Sequence, residues 1–344
     1  MLSPSLPQVL QSSYHSPQLD VEVRLNTNES PLAPPDGFLR DVASRVVGSS
    51  LNRYPDRQAR ELRSRLGSLH GVGAEAVFVG NGSNEVLQAI FLAYGGPWRN
   101  VWIAAPTYGM YAQIAATTRT ELLHGRRNRS GSVDAGLVDP DAELVVICDP
   151  NNPTGMVEPA ELRSLPASRP NQFFVVDRAY HDFDLRQIPE WSGENVALVR
   201  TFSKALSLAG LRLGYVVADP AVIEVLYAIY LPYHLSALTQ MVALTALDWY
   251  QELTAMVHMV THERDLMGAR LGSLGLAPYP SATNFILVDM GVNDAHTVWE
   301  QLVARSVLVR DASQWSGVGN ALRVTIGTPE ENTRFITTLE EVLG

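Results

Sequence analysis

The stretch Glu143-Leu-Val-Val-Ile-Cys-Asp-Pro-Asn-Asn-Pro-Thr-Gly155 decides the fold, because an uninterrupted apolar run leads directly into a polar turn. Such a run over residues 144–147 predicts a strand that is buried on both faces, as in a parallel sheet covered by helices. The two prolines and the glycine that follow predict a tight turn at the carboxyl end of that strand. Ligands of open α/β sheets bind beyond these ends, so the turn is a candidate binding site.

Comparable apolar runs alternate with helix-like stretches through the first two thirds of the chain, which predicts a mainly parallel sheet. The predicted strands are residues 76–79, 101–104, 144–147, 173–176, 196–200 and 213–217. Later elements are a long helical stretch at 235–271, a strand at 284–288, a helix near 296–305 and a strand at 322–326. We therefore expect an α/β chain with a large domain at 41–242 and a smaller α+β domain at 243–344. Residues 1–40 would form an N-terminal arm and part of the small domain.

Length, charge and cysteine content exclude several classes of protein. At 344 residues the chain is long enough for two domains, and 46% hydrophobic with 18% charged residues is an ordinary globular composition. A net charge of −10 argues against nucleic-acid binding, and no run approaches the ~20 apolar residues of a membrane span. The single cysteine, Cys148, excludes an intramolecular disulfide. We expect a cytoplasmic protein that binds neither nucleic acid nor membrane.

Residue 204 is the only lysine among 26 lysine and arginine side chains. Arginine supplies charge as well as lysine does, but its guanidinium group stays protonated and cannot act as an amine nucleophile. A lysine that remains where arginine serves every other purpose is therefore a candidate for Schiff-base chemistry. Lys204 stands in Thr201-Phe-Ser-Lys204, directly after the predicted strand 196–200.

Other polar residues follow other predicted strands. Asn152 lies in the turn quoted above and can donate a hydrogen bond from its amide. Asp177 follows residues 173–176 and can pair with a protonated ring nitrogen, although capping of the next turn would also explain it. Arg212 can hold a phosphate with two hydrogen bonds. Upstream, Val79-Gly-Asn-Gly-Ser-Asn-Glu85 joins a strand to a helix that begins near Ser83, and helix N-termini favour phosphate.

Six short motifs occur in order along the chain: Gly82-Ser-Asn-Glu85, Pro106-Thr-Tyr108, Asn151-Asn-Pro-Thr-Gly155, Asp177-Arg-Ala-Tyr180, Thr201-Phe-Ser-Lys204 and Gly210-Leu-Arg-Leu-Gly-Tyr215. In this order they resemble the fold type I, class I and II aminotransferases that use pyridoxal phosphate. Five further stretches are Leu25-Asn-Thr-Asn-Glu-Ser-Pro31, Asn52-Arg-Tyr-Pro-Asp56, Pro106-Thr-Tyr-Gly-Met-Tyr111, Pro232-Tyr-His-Leu-Ser-Ala237 and Leu322-Arg-Val-Thr-Ile-Gly-Thr-Pro-Glu330. They are most similar to the histidinol-phosphate aminotransferases within that family.

The resemblance implies the three-layer fold type I architecture, with a mostly parallel seven-stranded sheet and a smaller α+β domain. It implies pyridoxal 5′-phosphate as cofactor, held by Lys204 as an imine, with Asp177 on the pyridine nitrogen. Asn152 and Tyr180 would bind the phenolic oxygen, and Tyr108 would stack on the ring. The residues implied for the phosphate are Ser83, Asn84, Thr201, Ser203, Arg212 and, from the second subunit of a homodimer, Tyr54.

The implied reaction is ping-pong amino transfer in histidine biosynthesis, between histidinol phosphate or imidazole acetol phosphate and 2-oxoglutarate or glutamate. Arg310 and Arg323 match a pair that grips substrate anions in this family, and guanidinium groups accept either a carboxylate or a phosphate. Asn28 and Tyr14 are further candidates for the substrate pocket.

Alternatives remain open on the residues alone. An aromatic amino-acid aminotransferase or a phospho-amino-acid decarboxylase would keep every cofactor residue, and a catalytically silent relative would still bind the cofactor. His258 and His262 lie four residues apart on a predicted helix, but no third ligand accompanies them, so we expect no metal site.

Two positions depart from the family pattern. Arg178 stands next to Asp177 where glutamate is usual, and Asn84 stands where aspartate is common. A cation beside Asp177 would weaken its hold on a ring proton, so we expect the Arg178 side chain to face away.

Overall fold

The computed structural model describes residues 17–128, 131–186 and 188–344, which leaves the candidate Tyr14 outside the described residues. The strands are β1 (Val23–Leu25), β2 (Val77–Gly80), β3 (Asn100–Ala105), β4 (Glu121–Arg126), β5 (Leu144–Cys148), β6 (Phe173–Asp177), β7 (Val196–Thr201), β8 (Gly214–Val217), β9 (Ala277–Pro278), β10 (Phe285–Asp289), β11 (Val307–Asp311) and β12 (Ala321–Thr325). The helices are α1 (Asp36–Val47), α2 (Arg60–Leu69), α3 (Ser83–Tyr94), α4 (Met110–Thr118), α5 (Leu165–Ser168), α6 (Pro220–Ile229), α7 (Ala237–Asp248), α8 (Tyr250–Thr254), α9 (Met256–Ser273), α10 (Ala295–Ala304) and α11 (Pro329–Leu343).

A seven-stranded sheet runs in the order β2-β8-β7-β6-β5-β3-β4. Strand β8 is antiparallel to β2 and β7, and the pairs β7–β6, β6–β5, β5–β3 and β3–β4 are parallel. The predicted mostly parallel sheet is therefore confirmed. Strand β4 was not predicted, because it lies at the edge of the sheet with most of its side chains partly or fully exposed and lacks an uninterrupted apolar run.

Apolar side chains cover both faces of this sheet. Val146 of β5 belongs to a core cluster that includes Phe91 of α3, whereas its neighbour Val145 belongs to the cluster of Trp102 on the opposite face. Full burial of a large apolar side chain contributes about 1.5–3 kcal/mol, so a sheet packed on both faces is a rigid support. Its strand ends can therefore hold side chains in fixed positions.

A second sheet of five strands runs in the order β1-β11-β12-β10-β9. Strand β1 is parallel to β11, and the other neighbours are antiparallel. Residues near the N-terminus therefore share a sheet with the C-terminal part of the chain. Helix α11, which packs against α9 and α10, begins with a capping box in which Thr328 and Glu331 satisfy each other's backbone amides.

The long helix predicted over residues 235–271 is wrong, because the structure has three helices there, α7, α8 and α9. The first break falls at Trp249, whose indole packs so closely on Gly37 at the start of α1 that a Cβ on that glycine would overlap it. The indole Nε1 also donates to Asp41 at 3.3 Å. Packing against α1 thus accompanies the end of α7 at a point where the hydrophobic periodicity of the sequence would continue the helix. Within the described ranges, no helix combines the length and the apolar character that a bilayer crossing needs.

Candidate active site

The ends of three neighbouring parallel strands bring the candidate residues to one edge of the large sheet. Cys148 at the end of β5 pairs with Asp177 at the end of β6, and Asp177 pairs with Val199 of β7. The turn after β5, the carboxylate of Asp177 and the segment leading to Lys204 therefore lie side by side, as the sequence predicted.

Lys204 follows β7 in a partly buried position. Its Nζ donates to the backbone carbonyl of Asn28 at 2.7 Å and to that of Thr27 at 3.3 Å. Nζ also lies 5.7 Å from the ring centroid of Tyr180. Burial, assisted by the positive charge of Arg323, lowers the pKa of Lys204 to about 7. A substantial fraction of this amine is therefore neutral, and nucleophilic, near pH 7.

Asp177 is buried and receives two hydrogen bonds. Its Oδ2 accepts from the hydroxyl of Tyr111 at 2.8 Å, and its Oδ1 accepts from the backbone amide of Ala179 at 3.0 Å. Burial raises the pKa of Asp177 above its ordinary value, and the two donors oppose that rise. Tyr111 was not among the predicted site residues, although a buried tyrosine hydroxyl needs a polar partner and Asp177 provides it.

Asn152 connects the turn after β5 to the second sheet. Its Oδ1 accepts from Nη1 of Arg323 at 2.8 Å, and Nη2 of Arg323 donates to the carbonyl of Asn26 at 3.0 Å. The turn itself is held by Asn151, whose Nδ2 donates to the carbonyl of Pro106 at 3.2 Å and whose Oδ1 accepts from Thr107 at 2.9 Å. Asn152 thus stands on a braced turn.

Asn28 is fully enclosed beside Tyr180 and Lys204. Its Nδ2 donates to the Tyr180 hydroxyl at 2.9 Å, and its backbone amide donates to Thr325 Oγ1 at 2.9 Å. Its carbonyl, which accepts from Lys204, also accepts from Nδ2 of Asn284 at 3.1 Å. Asn28 adopts a left-handed conformation with φ of 54°, which asparagine tolerates better than most residues. Asn284 is a site residue that sequence reasoning missed.

A cationic cradle lies at the N-terminus of α3. Nη1 of Arg212 donates to Ser203 Oγ at 3.3 Å, and Ser203 Oγ accepts from Thr201 Oγ1 at 3.0 Å. A Cβ added to Gly82, which has φ of 84°, would overlap Nη2 of Arg212. A Cβ added to Gly214 would likewise overlap the amide nitrogen of Ser83. Glycine at these positions lets the guanidinium group and the free helix amides converge on one small anion.

Two further predicted tyrosines, Tyr108 and Tyr54, lie in different surroundings. The hydroxyl of Tyr108 donates to Asn84 Oδ1 at 3.3 Å, so this ring lies beside the helix N-terminus. Tyr54 is 81% exposed, and its ring stacks on Tyr233 with centroids 4.6 Å apart. Among the described residues of a single chain, Tyr54 thus lies on the surface against Tyr233 and makes no described contact with the cradle.

Arg310 and Arg323 lie directly opposite each other on β11 and β12. Opposite residues of an antiparallel pair project from the same face of the sheet, so the two guanidinium groups share one region. Only 7% of Arg310 and 5% of Arg323 is exposed. Two enclosed cations at directly opposite positions of neighbouring strands suit the binding of a carboxylate or a phosphate.

The Arg178 side chain faces away from Asp177, as expected. Its Nη1 donates to Asp149 Oδ2 at 2.9 Å and to the Asp149 carbonyl at 3.0 Å, and its Nε lies 3.2 Å from Glu190. Asp149 also accepts from Arg163 at 2.8 Å and from the Trp191 indole at 2.9 Å. The buried cation is neutralised behind the turn rather than beside the Asp177 carboxylate.

Together these groups suit a ligand with an electrophilic carbon near Lys204, a basic nitrogen near Asp177 and an anion in the cradle. The sequence matches the profile of the family "Aminotransferase class I and II" over residues 21–339. The chain belongs to this family, which confirms the resemblance inferred from the motifs.

Comparison with individual proteins shows which members of the family this chain resembles. The histidinol-phosphate aminotransferase of Paenarthrobacter aurescens is 38% identical, over 96% of this chain and 92% of the relative. That of Streptomyces avermitilis is 40% identical, over 96% of this chain and 94% of the relative. Among solved structures, the histidinol-phosphate aminotransferase from Sinorhizobium meliloti in complex with pyridoxal-5′-phosphate has a TM-score of 0.88 at 23% identity, covering 99% of this chain and 98% of that chain.

Proposed function

We propose that this chain is a pyridoxal-phosphate-dependent aminotransferase that moves an amino group between histidinol phosphate and 2-oxoglutarate, with imidazole acetol phosphate and glutamate as products. The observation that carries the proposal is the position of Lys204, the chain's only lysine. It lies near the buried carboxylate of Asp177. Burial lowers its pKa, and the charges of Arg323 and Arg212 lower it further. The names of the relatives support the choice of substrate.

The residues present fit pyridoxal phosphate. The cradle of Arg212, Ser203 and the α3 N-terminus suits a phosphate dianion, and the overlap that a Cβ on Gly82 would cause shows that glycine is needed for Arg212 to approach the helix N-terminus. When bound, the cofactor supplies an aldehyde carbon that amines condense with and a protonated ring that stabilises negative charge at the substrate Cα. The remaining chemistry belongs to side chains of this chain.

Lys204 would hold the cofactor through its amine, and the same amine would move a proton at the substrate Cα. A pKa of about 7 suits proton transfer in both directions, since near pH 7 the neutral amine is basic enough to take the proton and the ammonium is acidic enough to return it. Asp177 would hold a proton on the ring nitrogen, and a positive ring beside it would lower the pKa of Asp177 again. Asn152 and Tyr180 would orient the ring through its phenolic oxygen, and Tyr108 would lie against its face.

The two enclosed arginines would receive the substrate anions. Histidinol phosphate carries a phosphate and no carboxylate, whereas glutamate carries carboxylates, so one site must accept both in turn in a ping-pong reaction. Arg323 already spans from Asn152 to the carbonyl of Asn26, which fixes its guanidinium plane beside the cofactor residues. Asn28 would help through its bond to Tyr180.

We further propose a homodimer in which Tyr54 reaches the cradle of the partner subunit. Its 81% exposure in one chain, together with the exposed Leu51 and Leu231, leaves an apolar surface for such contact. Mixed subunits provide a test. In dimers of Tyr54→Ala with Lys204→Ala, one site regains both residues, so a 1:1 mixture should recover about a quarter of the wild-type rate. No recovery in the mixture would contradict the shared site.

We also place residues 41–242 in a large cofactor-binding domain and 243–344 in a small domain that residues 1–40 join. The buried, unpaired Cys148 thiol supports a reducing, cytoplasmic location.

Comparison of amino donors tests the reaction. We expect kcat/KM for histidinol phosphate with 2-oxoglutarate to exceed that for phenylalanine, because the arginine pair offers two cations to a phosphate. A higher kcat/KM for phenylalanine would assign an aromatic aminotransferase. Release of carbon dioxide from a phosphorylated amino acid would assign a decarboxylase, and cofactor binding without amino transfer from any amine would assign a silent relative.

The lysine itself provides a second test. Borohydride should fix the cofactor covalently on Lys204, after which a lysine-specific protease should no longer cut the unfolded chain, since no other lysine exists. Full cleavage after reduction would contradict the cofactor assignment.

A further inference from the structure

The segment that joins β11 to β12 places one aromatic ring against both substrate arginines. The indole of Trp315 lies 5.6 Å from the guanidinium carbon of Arg310 and 5.3 Å from that of Arg323. Trp315 was not singled out by its sequence, since it stands in an irregular segment outside every motif. The Trp315 ring thus lies next to both guanidinium groups.

The segment holds Trp315 by backbone hydrogen bonds. The Trp315 amide donates to the carbonyl of Ala312 at 3.0 Å, and the Val318 amide donates to the carbonyl of Trp315 at 3.1 Å. Trp315 packs on a small cluster formed by Leu287 and Ala312 together with Ala321. The ring is therefore fixed on the second sheet.

The same segment also reaches the large sheet. A Cβ added to Gly317, which has φ of 78°, would lie 3.0 Å from Cδ of Pro106. Pro106 directly follows β3, and its carbonyl accepts from Asn151, which braces the turn of Asn152. Trp315 therefore stands where the two sheets meet, on the side of the candidate active site.

Two guanidinium groups held in opposite register positions repel each other, and partial burial reduces the screening by water. The negative face of an aromatic ring attracts a cation within about 6 Å of its centroid. Arg323 is attracted twice, since the ring centroid of Phe285 lies 5.2 Å from its guanidinium carbon. An indole that both cations share thus offsets part of the repulsion without neutralising either charge.

We propose that Trp315 is a positioning residue that holds Arg310 and Arg323 together as one anion-binding pair and forms an apolar wall beside it. A carboxylate in this place would neutralise the pair and compete with substrate, whereas an aromatic ring adds no negative charge that would compete with the incoming anion. This proposal rests on the proposed function in one respect, namely that these arginines receive the substrate anion.

The test measures anion binding to the cofactor-loaded enzyme by calorimetry, with succinate and inorganic phosphate as probes. In Trp315→Met, which keeps an apolar side chain without a π face, we expect both dissociation constants to rise about ten-fold. Trp315→Phe should bind both probes within about three-fold of the wild type. Trp98→Met is the matched control, because Trp98 is 93% exposed and should leave both constants unchanged.

Kinetics provide a second readout. Trp315→Met should raise KM for both substrates while kcat at saturation stays within about two-fold and the absorbance of the bound cofactor is unchanged. Equal binding of both probes by Trp315→Met and the wild type would overturn the proposal, as would a fall in kcat with unchanged KM. If Trp315→Met does not fold, Trp315→Phe provides the test, because this variant keeps an aromatic face. A rise of ten-fold or more in both of its dissociation constants would contradict a role for the π face.

A reference variant separates this proposal from the proposed function. If Arg323→Ala binds both probes as the wild type does, the anion site is misassigned and the proposed function loses its substrate pair. If Arg323→Ala weakens binding but Trp315→Met does not, the inference about Trp315 alone fails. Neither probe requires turnover, so the identity of the natural substrate does not affect the result.

Discussion

Removal of the Tyr111 hydroxyl tests whether the ionised form of Asp177 drives the reaction. That hydroxyl donates to Asp177 Oδ2 at 2.8 Å inside the core, where water cannot replace it. A hydrogen bond to a charged group contributes about 1.5–3 kcal/mol, which is a factor of roughly 10 to 100 in the ionisation equilibrium. In Tyr111→Phe the ionised carboxylate retains the bond from the Ala179 amide, at 3.0 Å, but loses this contribution.

The direction of the pH effect follows from the charge state. Burial already raises the pKa of Asp177, and loss of the donor raises it further, so a smaller fraction is ionised at any given pH. Activity that requires the carboxylate should therefore be lost first on the acid side. We expect the acid limb of the kcat/KM profile to move to higher pH and the rate at a given pH on that limb to fall about ten-fold or more. The alkaline limb should stay in place.

Single-turnover amino transfer from glutamate, followed from about pH 5 to 9, measures both limbs. Tyr94→Phe is the matched control, because Tyr94 packs on Phe173 with ring centroids 4.6 Å apart, and it has no role in the site. An acid limb that does not move in Tyr111→Phe would refute the reasoning. A uniform loss at every pH with a lowered Tm would assign Tyr111 to packing instead.

Three further predictions concern the cofactor and substrate residues. Lys204→Met should lose borohydride-fixable cofactor and lower amino transfer about a thousand-fold or more, measured by absorbance and by single turnover. Gly82→Ala, whose Cβ would overlap Arg212, should weaken binding of pyridoxal phosphate at least about ten-fold in a fluorescence titration, whereas Gly71→Ala, with φ of 68° but open space, should not. Arg323→Ala should raise KM for both histidinol phosphate and glutamate about 10- to 100-fold, and an unchanged KM for both would contradict a common anion site.

The sequence predicted best those residues whose position depends on a single strand. Asp177 and the segment before Lys204 lie at the ends of buried runs, and parallel pairing alone brings such ends to one edge. The same reasoning identified the α3 N-terminus, because glycines before a helix are a local signal. These features needed no knowledge of long-range packing.

Residues that depend on distant packing could not be predicted in this way. Tyr111 and Asp177 are 66 positions apart, and Lys204 meets the carbonyl of Asn28 across 176 positions. Trp315 meets the arginines only because the segment after β11 folds back over its own sheet. Periodicity is a local property and carries no information on such contacts, which also explains why the break at Trp249 was missed.

The charge state of Lys204 depends on the junction of the two sheets. The carbonyls of Thr27 and Asn28 accept from Nζ and so favour the protonated amine, whereas burial and the charge of Arg323 favour the neutral one. Thr27 and Asn28 follow β1, and Arg323 lies on β12 of the second sheet, whereas the lysine follows β7 of the large sheet. The second sheet thus contributes to the pKa of about 7, and Asn28 connects the lysine to Tyr180 through its own hydrogen bond to the tyrosine hydroxyl. The lysine and the proposed anion site are therefore close together, so Arg323 would bind the substrate anion and also help burial to lower the pKa of Lys204.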